Sequence, residues 1–402
     1  MKVPLTPRKH FHNSVNVYPS TQLLNHNSVN ALPSTRLLNH IDATVYPSTQ
    51  LLNHIDVTVF LFPKRQFLVM KSRTFILFLS LSALTLGLFL ADLAWGSIHI
   101  SLREIVLAFL GNSDNGINTE ILLNFRLPKA ITAVLAGASL SVAGLMMQTL
   151  FRNSLADPYI LGVSSGASLG VALVMMAASV LPVAFVNSGW ALIVAAIIGA
   201  SIVMVLVVGV SFKVHNAVSL LIVGLMFGTI AGSLVSVLQN FSNPDAIKLF
   251  VMWTFGSLSA VTWTYMQVLL PVVLVGLSMA FFLQKRLDGL LLGENYARGL
   301  GVSIIRTRLL IVVATGLLAG GITAFTGPIA FVGVAIPHIA RGLFRTASHK
   351  ILLPATVLCG ASLILICDII SQLPTYTLPI NTISALFGAP IIIWIILRRN
   401  VT

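Results

Sequence analysis

Apolar residues form ten long runs along this chain, and each run is continuous rather than alternating with polar residues. Runs of about 20 residues match the roughly 30 Å hydrocarbon core of a bilayer, and a continuous run favours a helix over a strand of a membrane barrel. The pattern therefore predicts an all-α integral membrane protein with about ten transmembrane helices. The predicted spans lie at about 74–95, 130–150, 159–181, 190–212, 217–240, 263–283, 308–326, 329–344, 352–373 and 381–397.

Composition agrees with a membrane protein and changes the meaning of the net charge. Hydrophobic residues make up 56% of the chain and charged residues 9%, with a mean hydropathy of +0.95, whereas a soluble domain carries about 25% charged residues. A formal net charge of +13 would indicate a nucleic-acid partner in a soluble protein, but most Lys and Arg lie in short loops between the apolar runs. We therefore expect a lipid bilayer around the chain and no nucleic acid.

Basic residues are concentrated on one side of the predicted membrane. After Met70, every Lys and Arg falls on the side of the first basic loop except Arg103, Arg126, Lys129 and Lys248. Because loops rich in Lys and Arg stay in the cytoplasm, this pattern predicts that both ends of the transmembrane region are cytoplasmic.

The N-terminal segment does not share the transmembrane pattern. A fourteen-residue unit repeats there in nearly identical copies that begin at His12, His26, His40 and His54. Solenoid units mostly run to about 20–50 residues, so the short repeat is better explained by tandem duplication of DNA. We predict that residues 1–69 are a disordered or mis-assigned extension, with translation starting at Met70, and that residues 70–402 form one transmembrane domain.

The chemistry of an enzyme or a self-powered pump is missing from the sequence. No Gly-Lys pair occurs, so the phosphate-binding motif G-x-x-x-x-G-K-[ST] is absent. We predict a transport subunit without catalytic residues, metal ligands or a cofactor of its own. A proton-coupled secondary transporter is the alternative, although it would need carboxylates deep in the membrane, and structural or capping roles are expected for Asp92, Asp157 and Asp368.

Two features are candidates for function. GENYARGLGV, from Gly293 to Val302, is a polar segment between two predicted spans, and it is either a short helix that docks a partner or an ordinary loop. Small residues at a spacing of four also let helices approach closely. Two runs contain such a series: Gly162, Gly166 and Gly170 in one, and Gly224, Gly228 and Gly232 in the other. Each series indicates either packing within one subunit, or a dimer interface or transport path.

Four motifs resemble those of a known family, and together they extend over essentially the whole chain after Met70. They are RLPKAITAVLAGASLSVAGLMMQTLFRNSLADPYILGVSSGASLG from Arg126, GENYARGLGV from Gly293, TGPIAFVGVAIPHIAR from Thr326 and LPINTISALFGAPIIIWIILRR from Leu378. The chain resembles the permease subunits of bacterial ABC importers for iron chelates, vitamin B12 and haem, the FecCD or BtuC-like family. That resemblance implies a ten-helix type II permease of the inner membrane.

The resemblance also implies partners. A second permease, identical or related, would complete a dimer, two cytoplasmic ATPases would bind ATP and Mg²⁺, and a periplasmic or surface protein would deliver the cargo. A ferric siderophore is the expected cargo, with vitamin B12 or haem as alternatives. The residues that would couple to the ATPase are Gly293, Glu294, Ala297, Arg298, Gly299 and Gly301.

Other positions take their expected roles from the same resemblance. Arg126 and Lys129 would form salt bridges with acidic residues of the binding protein, whereas Gln372 stands where related chains often carry a third basic residue. The translocation path would be lined by the helix that contains Gly224, Gly228 and Gly232, with a cytoplasmic gate at residues 213–216.

Overall fold

A computed structural model describes residues 57–96, 98–111, 116–176, 189–214, 217–373 and 377–399. The chain divides into two units, residues 1–64 and 65–402. The described part of the first unit is only the beginning of a helix, which starts at Val57, ahead of Met70. The repeat copies that begin at His12, His26 and His40 lie outside the described residues, whereas the copy that begins at His54 runs into the start of this helix. Both the start at Met70 and the boundary at residue 69 remain predictions.

The described residues form fifteen α-helices and no strand, with short 3₁₀ or π segments between some of them. The first seven helices are α1 (Val57–Ala94), α2 (Leu102–Phe109), α3 (Gly116–Ile121), α4 (Leu127–Phe151), α5 (Val163–Met176), α6 (Gly189–Ser211) and α7 (Ala217–Asn240). The remaining helices are α8 (Pro244–Thr254), α9 (Trp263–Leu291), α10 (Glu294–Gly299), α11 (Ile304–Thr315), α12 (Gly321–Thr326), α13 (Val332–Phe344), α14 (His349–Ser371) and α15 (Ile380–Arg399).

The ten predicted spans all correspond to apolar helices. Among the described residues, seven helical segments are long and apolar enough to cross a membrane, and three shorter apolar helices add to them. The shorter helices are Val163–Met176, Val332–Phe344 and Ile380–Ile393. The prediction of an all-α membrane protein with about ten transmembrane helices is therefore confirmed.

Local sequence explains where several of the connecting helices begin. Ser101 and Glu104 form a capping box at the start of α2, in which each side chain accepts a hydrogen bond from the other residue's backbone N–H. Asn243 caps α8, whose first residue is proline. The carboxylate of Asp157 accepts a hydrogen bond from the backbone N–H of Tyr159, 2.7 Å away, at the start of the 3₁₀ turn Pro158–Leu161. The predicted capping role of Asp157 is confirmed.

Helix α4 lies at the centre of the bundle and is buried along nearly its whole length, packed against α9, α13 and α14. Small residues permit this close packing, because a side chain on Gly137 would collide with the backbone of Gly360 in α14. In the same way, Gly166 of α5 lies against the backbone of Gly199 in α6. Packing within the subunit therefore accounts for Gly166, the middle residue of the first glycine series.

Candidate functional site

The predicted functional residues lie at two ends of the bundle. Lys129 is in the first turn of α4, and Arg152 follows the last residue of α4. A helix of 25 residues is about 37 Å long at 1.5 Å per residue. The guanidinium of Arg152 donates a hydrogen bond to the carbonyl of Leu291, 3.3 Å away, just before α10. The α10 end of the bundle is thus opposite the end that contains Lys129.

The segment GENYARGLGV forms the short helix α10 rather than an irregular loop. Gly293 precedes it with φ 114° and Gly301 follows it with φ 80°, and both values lie in a region that favours glycine. Ala297 is fully buried and fixes one side of the helix against the bundle. Arg298 faces outward.

Helix α10 exposes a surface that combines apolar and basic groups. Tyr296 is 57% exposed and Leu300 60% exposed, although they lie in a polar connection between α9 and α11 rather than within a span. Glu294 is in the first turn and Arg298 in the last turn, an order that complements the helix dipole. All six predicted coupling residues are therefore in or directly beside one helix, and neighbouring apolar side chains are available to a partner.

Arg308 of α11 fixes the position of α10. Its Nη2 is 3.0 Å from Oε1 of Glu294. Its Nη1 donates a hydrogen bond to the carbonyl of Val214, 2.9 Å away, in the connection between α6 and α7. The side chain of Arg308 is nearly buried, whereas that of Glu294 is partly exposed. Of the predicted gate, residues 213 and 214 are described and residues 215–216 lie outside the described residues.

Helix α7 presents a polar face along an open groove of about 540 Å³. Thr229, Ser233 and Ser236 are exposed on this face. Each hydroxyl donates a hydrogen bond to a carbonyl one turn earlier in the same helix, at 2.7, 2.9 and 3.2 Å respectively. The protons of these three hydroxyls are therefore already used within α7, and apolar groups such as Leu225 also line the groove.

The three predicted path glycines have different surroundings. A Cβ on Gly224 would be 2.9 Å from Cα of Leu161, and one on Gly228 would be 3.4 Å from Cα of Gly162. Around Gly232, no described atom lies within 4 Å of the Cβ position. Gly224 therefore serves close packing, whereas Gly228 and Gly232 both line the groove.

At the opposite end of the bundle, Arg126 caps helix α1. Its Nη1 donates hydrogen bonds to the carbonyls of Leu93 at 2.7 Å and Ala94 at 3.1 Å, and its Nη2 donates to the carbonyl of Ile98. The last carbonyls of a helix lack intrahelical partners, and a basic side chain satisfies them. Arg126 is accordingly 8% exposed.

Lys129 forms a buried ion pair in the same region. Its Nζ is 2.8 Å from Oδ2 of Asp368 in α14. The amide of Gln372 donates hydrogen bonds to Oδ1 of Asp92 in α1 and to Oδ2 of Asp368, both at 3.2 Å. The structural roles predicted for Asp92 and Asp368 are confirmed. Docking of a binding protein at Arg126 and Lys129 remains a prediction, and both side chains already have partners within the chain.

Two polar groupings at the α10 end were missed by the sequence analysis. One is the contact of Arg308 with Glu294 and Val214. The other joins three helices through His349, whose Nδ1 is 2.7 Å from Asp288 and whose Nε2 is 2.9 Å from the hydroxyl of Thr149. For Arg308 a signal existed: Arg306 and Arg308 are two positions apart, roughly 200° around a helix, so their side chains face different sides of α11.

Comparisons with known proteins agree with this arrangement. Residues 84–398 match the FecCD transport family. The vitamin B12 import system permease protein BtuC of Klebsiella pneumoniae is 37% identical over 278 residues, which cover 68% of this chain and 82% of that protein. The hemin transport system permease protein HmuU of Yersinia pestis is 34% identical over 319 residues, which cover 77% of this chain and 93% of that protein.

A solved structure has the same fold. It is an inward-facing conformation of an ABC transporter of metal-chelate type, and it superposes with a TM-score of 0.71 at 29% sequence identity. The match covers 80% of this chain and 99% of that chain. The fold of most of this chain is therefore shared with nearly the whole of that chain.

Proposed function

Because this chain belongs to the FecCD transport family of ABC importer permeases, we propose that it carries a ferric siderophore across the inner membrane. A separate ATPase dimer, which binds ATP and Mg²⁺, powers the transport, and a substrate-binding protein delivers the cargo. The chain itself is a multi-pass membrane protein, and its relatives are permease components of import systems.

The exposed face of α10 is the observation that carries the assignment of the ATPase contact. Tyr296 and Leu300 are large, exposed side chains on a connection outside the spans, and exposed apolar groups in such a place indicate a protein interface. Exposed Arg298 adds a charge that orients a partner. ATP-driven closure of the ATPase dimer would displace α10. Because Ala297 anchors the opposite side of this helix to the bundle, the displacement would act on the bundle as well.

The polar face of α7 supports a translocation path between two permeases. Thr229, Ser233 and Ser236 are exposed in the second half of a helix that is long and apolar enough to cross a membrane. Polar groups in such a position face a water-filled cavity or another protein rather than lipid. A second permease packed opposite this groove would enclose it, and Gly232 would leave it open to the cargo.

The charge distribution supports the orientation that we propose. With α10 in the cytoplasm, most Lys and Arg of the connections are on the cytoplasmic side, in agreement with the positive-inside rule. Both ends of the transmembrane region are then cytoplasmic, and Arg126 and Lys129 lie near the outer surface.

Assembly with an ATPase is tested by gentle solubilisation of the natural complex, followed by detection of bound ATPase. Arg298→Glu should reduce recovered ATPase by at least about tenfold, since 1.4 kcal/mol at an interface corresponds to that factor. Arg103→Glu, an exposed substitution at the opposite end, is the matched control and should leave recovery unchanged. Absence of any ATPase from the unsubstituted complex, or uptake that an uncoupler abolishes while ATP remains, would indicate a secondary transporter instead.

The cargo is tested separately, by uptake of a radiolabelled ferric hydroxamate, cyanocobalamin or haemin into cells with and without this chain. Vitamin B12 and haem are real alternatives, because relatives at 37% and 34% identity are named for those cargoes. We expect uptake of the ferric hydroxamate alone to depend on the chain. Dependence of cyanocobalamin or haemin uptake instead would replace the siderophore by that compound and leave the permease assignment intact.

A further inference from the structure

Arg308 connects the predicted ATPase contact to the helix that borders the translocation groove. It lies in the first half of α11, with its guanidinium between two other segments of the chain. On one side is Glu294 of α10, at 3.0 Å. On the other side is the carbonyl of Val214, at 2.9 Å, three residues before the start of α7. One side chain thus touches both the helix that would receive the force and the connection that leads into the groove.

The geometry of arginine makes this a rigid connection. A guanidinium is planar and presents its donors in a fixed fork, so its two contacts cannot move independently of each other. Arg308 is only 3% exposed, and a buried charge is strongly destabilising when it loses its partner. When α10 shifts, Arg308 therefore follows Glu294, and the carbonyl of Val214 must follow Arg308 or lose its hydrogen bond.

Two other polar contacts at this end, among the described residues, follow different paths. Arg152 donates to the carbonyl of Leu291 and thereby joins α4 to the end of α9. His349 joins Asp288 of α9 to Thr149 of α4. Both contacts hold the frame of the bundle, whereas Arg308 touches a residue of α10 itself together with the connection into α7.

We infer that Arg308 is a positioning residue that transmits displacement of α10 to the junction of α6 and α7 through Glu294 and Val214. The inference rests on the proposed function, because it requires an ATPase to move α10. It adds a specific route by which that movement reaches the groove.

The test measures movement at the junction rather than uptake, so no cargo has to be known. Lys213→Cys places a reactive thiol next to Val214, at an exposed position, while Cys359 and Cys367 are buried. In the complex with its ATPase, the labelling rate by a water-soluble maleimide is compared with and without ATP plus vanadate. We expect a change of at least about fivefold in the parent protein, as a shift between two populated states would give, and less than about twofold after Arg308→Gln.

Matched variants separate transmission from folding. Arg345→Gln removes the same charge from an exposed site at the α10 end and should keep the parent response. Arg308→Lys retains the charge for Glu294 but lacks the fork that reaches two partners, so it should fold yet give a reduced response. Glu294→Gln combined with Arg308→Gln should be no worse than Arg308→Gln alone, because both act in one connection.

Each outcome has a definite meaning. If the parent responds and Arg308→Gln responds equally while still binding ATPase, Arg308 transmits nothing and the inference is overturned, although the proposed function stands. If the parent binds no ATPase and shows no nucleotide response, the proposed function and the inference fall together. If Arg308→Gln fails to assemble, Arg308→Lys decides: a full response from that variant overturns the inference.

Discussion

Alanine substitutions at the three glycines of α7 provide a graded test of how this helix is packed. The position of a Cβ would be 2.9 Å from Cα of Leu161 at Gly224 and 3.4 Å from Cα of Gly162 at Gly228. At Gly232, no described atom is within 4 Å. The same chemical change thus meets a backbone collision, a tight contact and open space along one face of one helix.

The expected magnitudes follow from two opposing terms. Alanine favours the helical conformation over glycine by about 1 kcal/mol, and this gain is common to all three positions. Overpacking against a backbone that cannot rotate away costs about 1–3 kcal/mol. Because the common gain cancels, Gly224→Ala should be roughly 1–3 kcal/mol less stable than Gly232→Ala. Gly228→Ala should lie between them.

Thermal stability in detergent, followed by size-exclusion chromatography after heating, is a suitable measurement. All variants are heated for the same time, since unfolding of a membrane protein in detergent is read as a rate rather than an equilibrium. The order of stability should be Gly232→Ala first, Gly228→Ala second and Gly224→Ala last. Equal stability of the first and last variants would refute the reasoning, because it would mean that α7 does not approach the 3₁₀ turn Pro158–Leu161 as closely as described.

Three further predictions concern the rest of the molecule. Lys129→Met should destabilise the protein by about 3–5 kcal/mol, because it leaves Asp368 as a buried, unpaired charge, and Arg103→Met in the same thermal assay should have little effect. Burial raises the pKa of the Asp157 carboxyl from 3.8 to about 6, so between these pH values the folded state keeps a proton that the unfolded state has lost. The free energy of unfolding should therefore fall as the pH rises from about 3.8 to about 6. Asp157→Asn, which keeps the capping oxygen, should flatten that part of the pH–stability profile. Gly232→Leu should reduce uptake by narrowing the groove while leaving bound ATPase unchanged, and loss of ATPase from this variant would contradict the position assigned to the groove.

The transmembrane helices were predictable because a bilayer restricts what a chain can do. Backbone groups have no water partners in lipid, so each long apolar run must form hydrogen bonds within itself, and helices are the solution for continuous runs. For the connecting segment that forms α10, the flanking Gly293 and Gly301 allowed a short helix, but the residues left an ordinary loop as the alternative. The groove, by contrast, gives no indication of the substrate, because its exposed groups are hydroxyls, glycines and the apolar side chain of Leu225, none of which is charged.

Contacts between distant segments were not predictable. Arg126 caps α1 across 33 residues of sequence, and Lys129 pairs with Asp368 in a helix near the other end of the chain. Sequence shows the charge of such a residue but not its partner, since the partner is determined by how the helices pack. Arg126 and Lys129 were therefore interpreted only as docking groups for a binding protein. The structure gives both of them partners within the chain, and the docking itself remains a prediction.

If the groove of α7 is the translocation path, as we propose, its hydroxyl groups would recognise a cargo only weakly. Thr229, Ser233 and Ser236 each donate their proton to a carbonyl of their own helix, so at these three positions a solute in the proposed path would meet acceptor oxygens, beside apolar groups such as Leu225. A hydrogen bond formed with the cargo would have to replace one that already exists, and the net gain would be small. Weak, exchangeable contacts allow passage, whereas tight binding would hold the cargo in the membrane. Under the proposed function, selection would then take place before entry, at the binding protein.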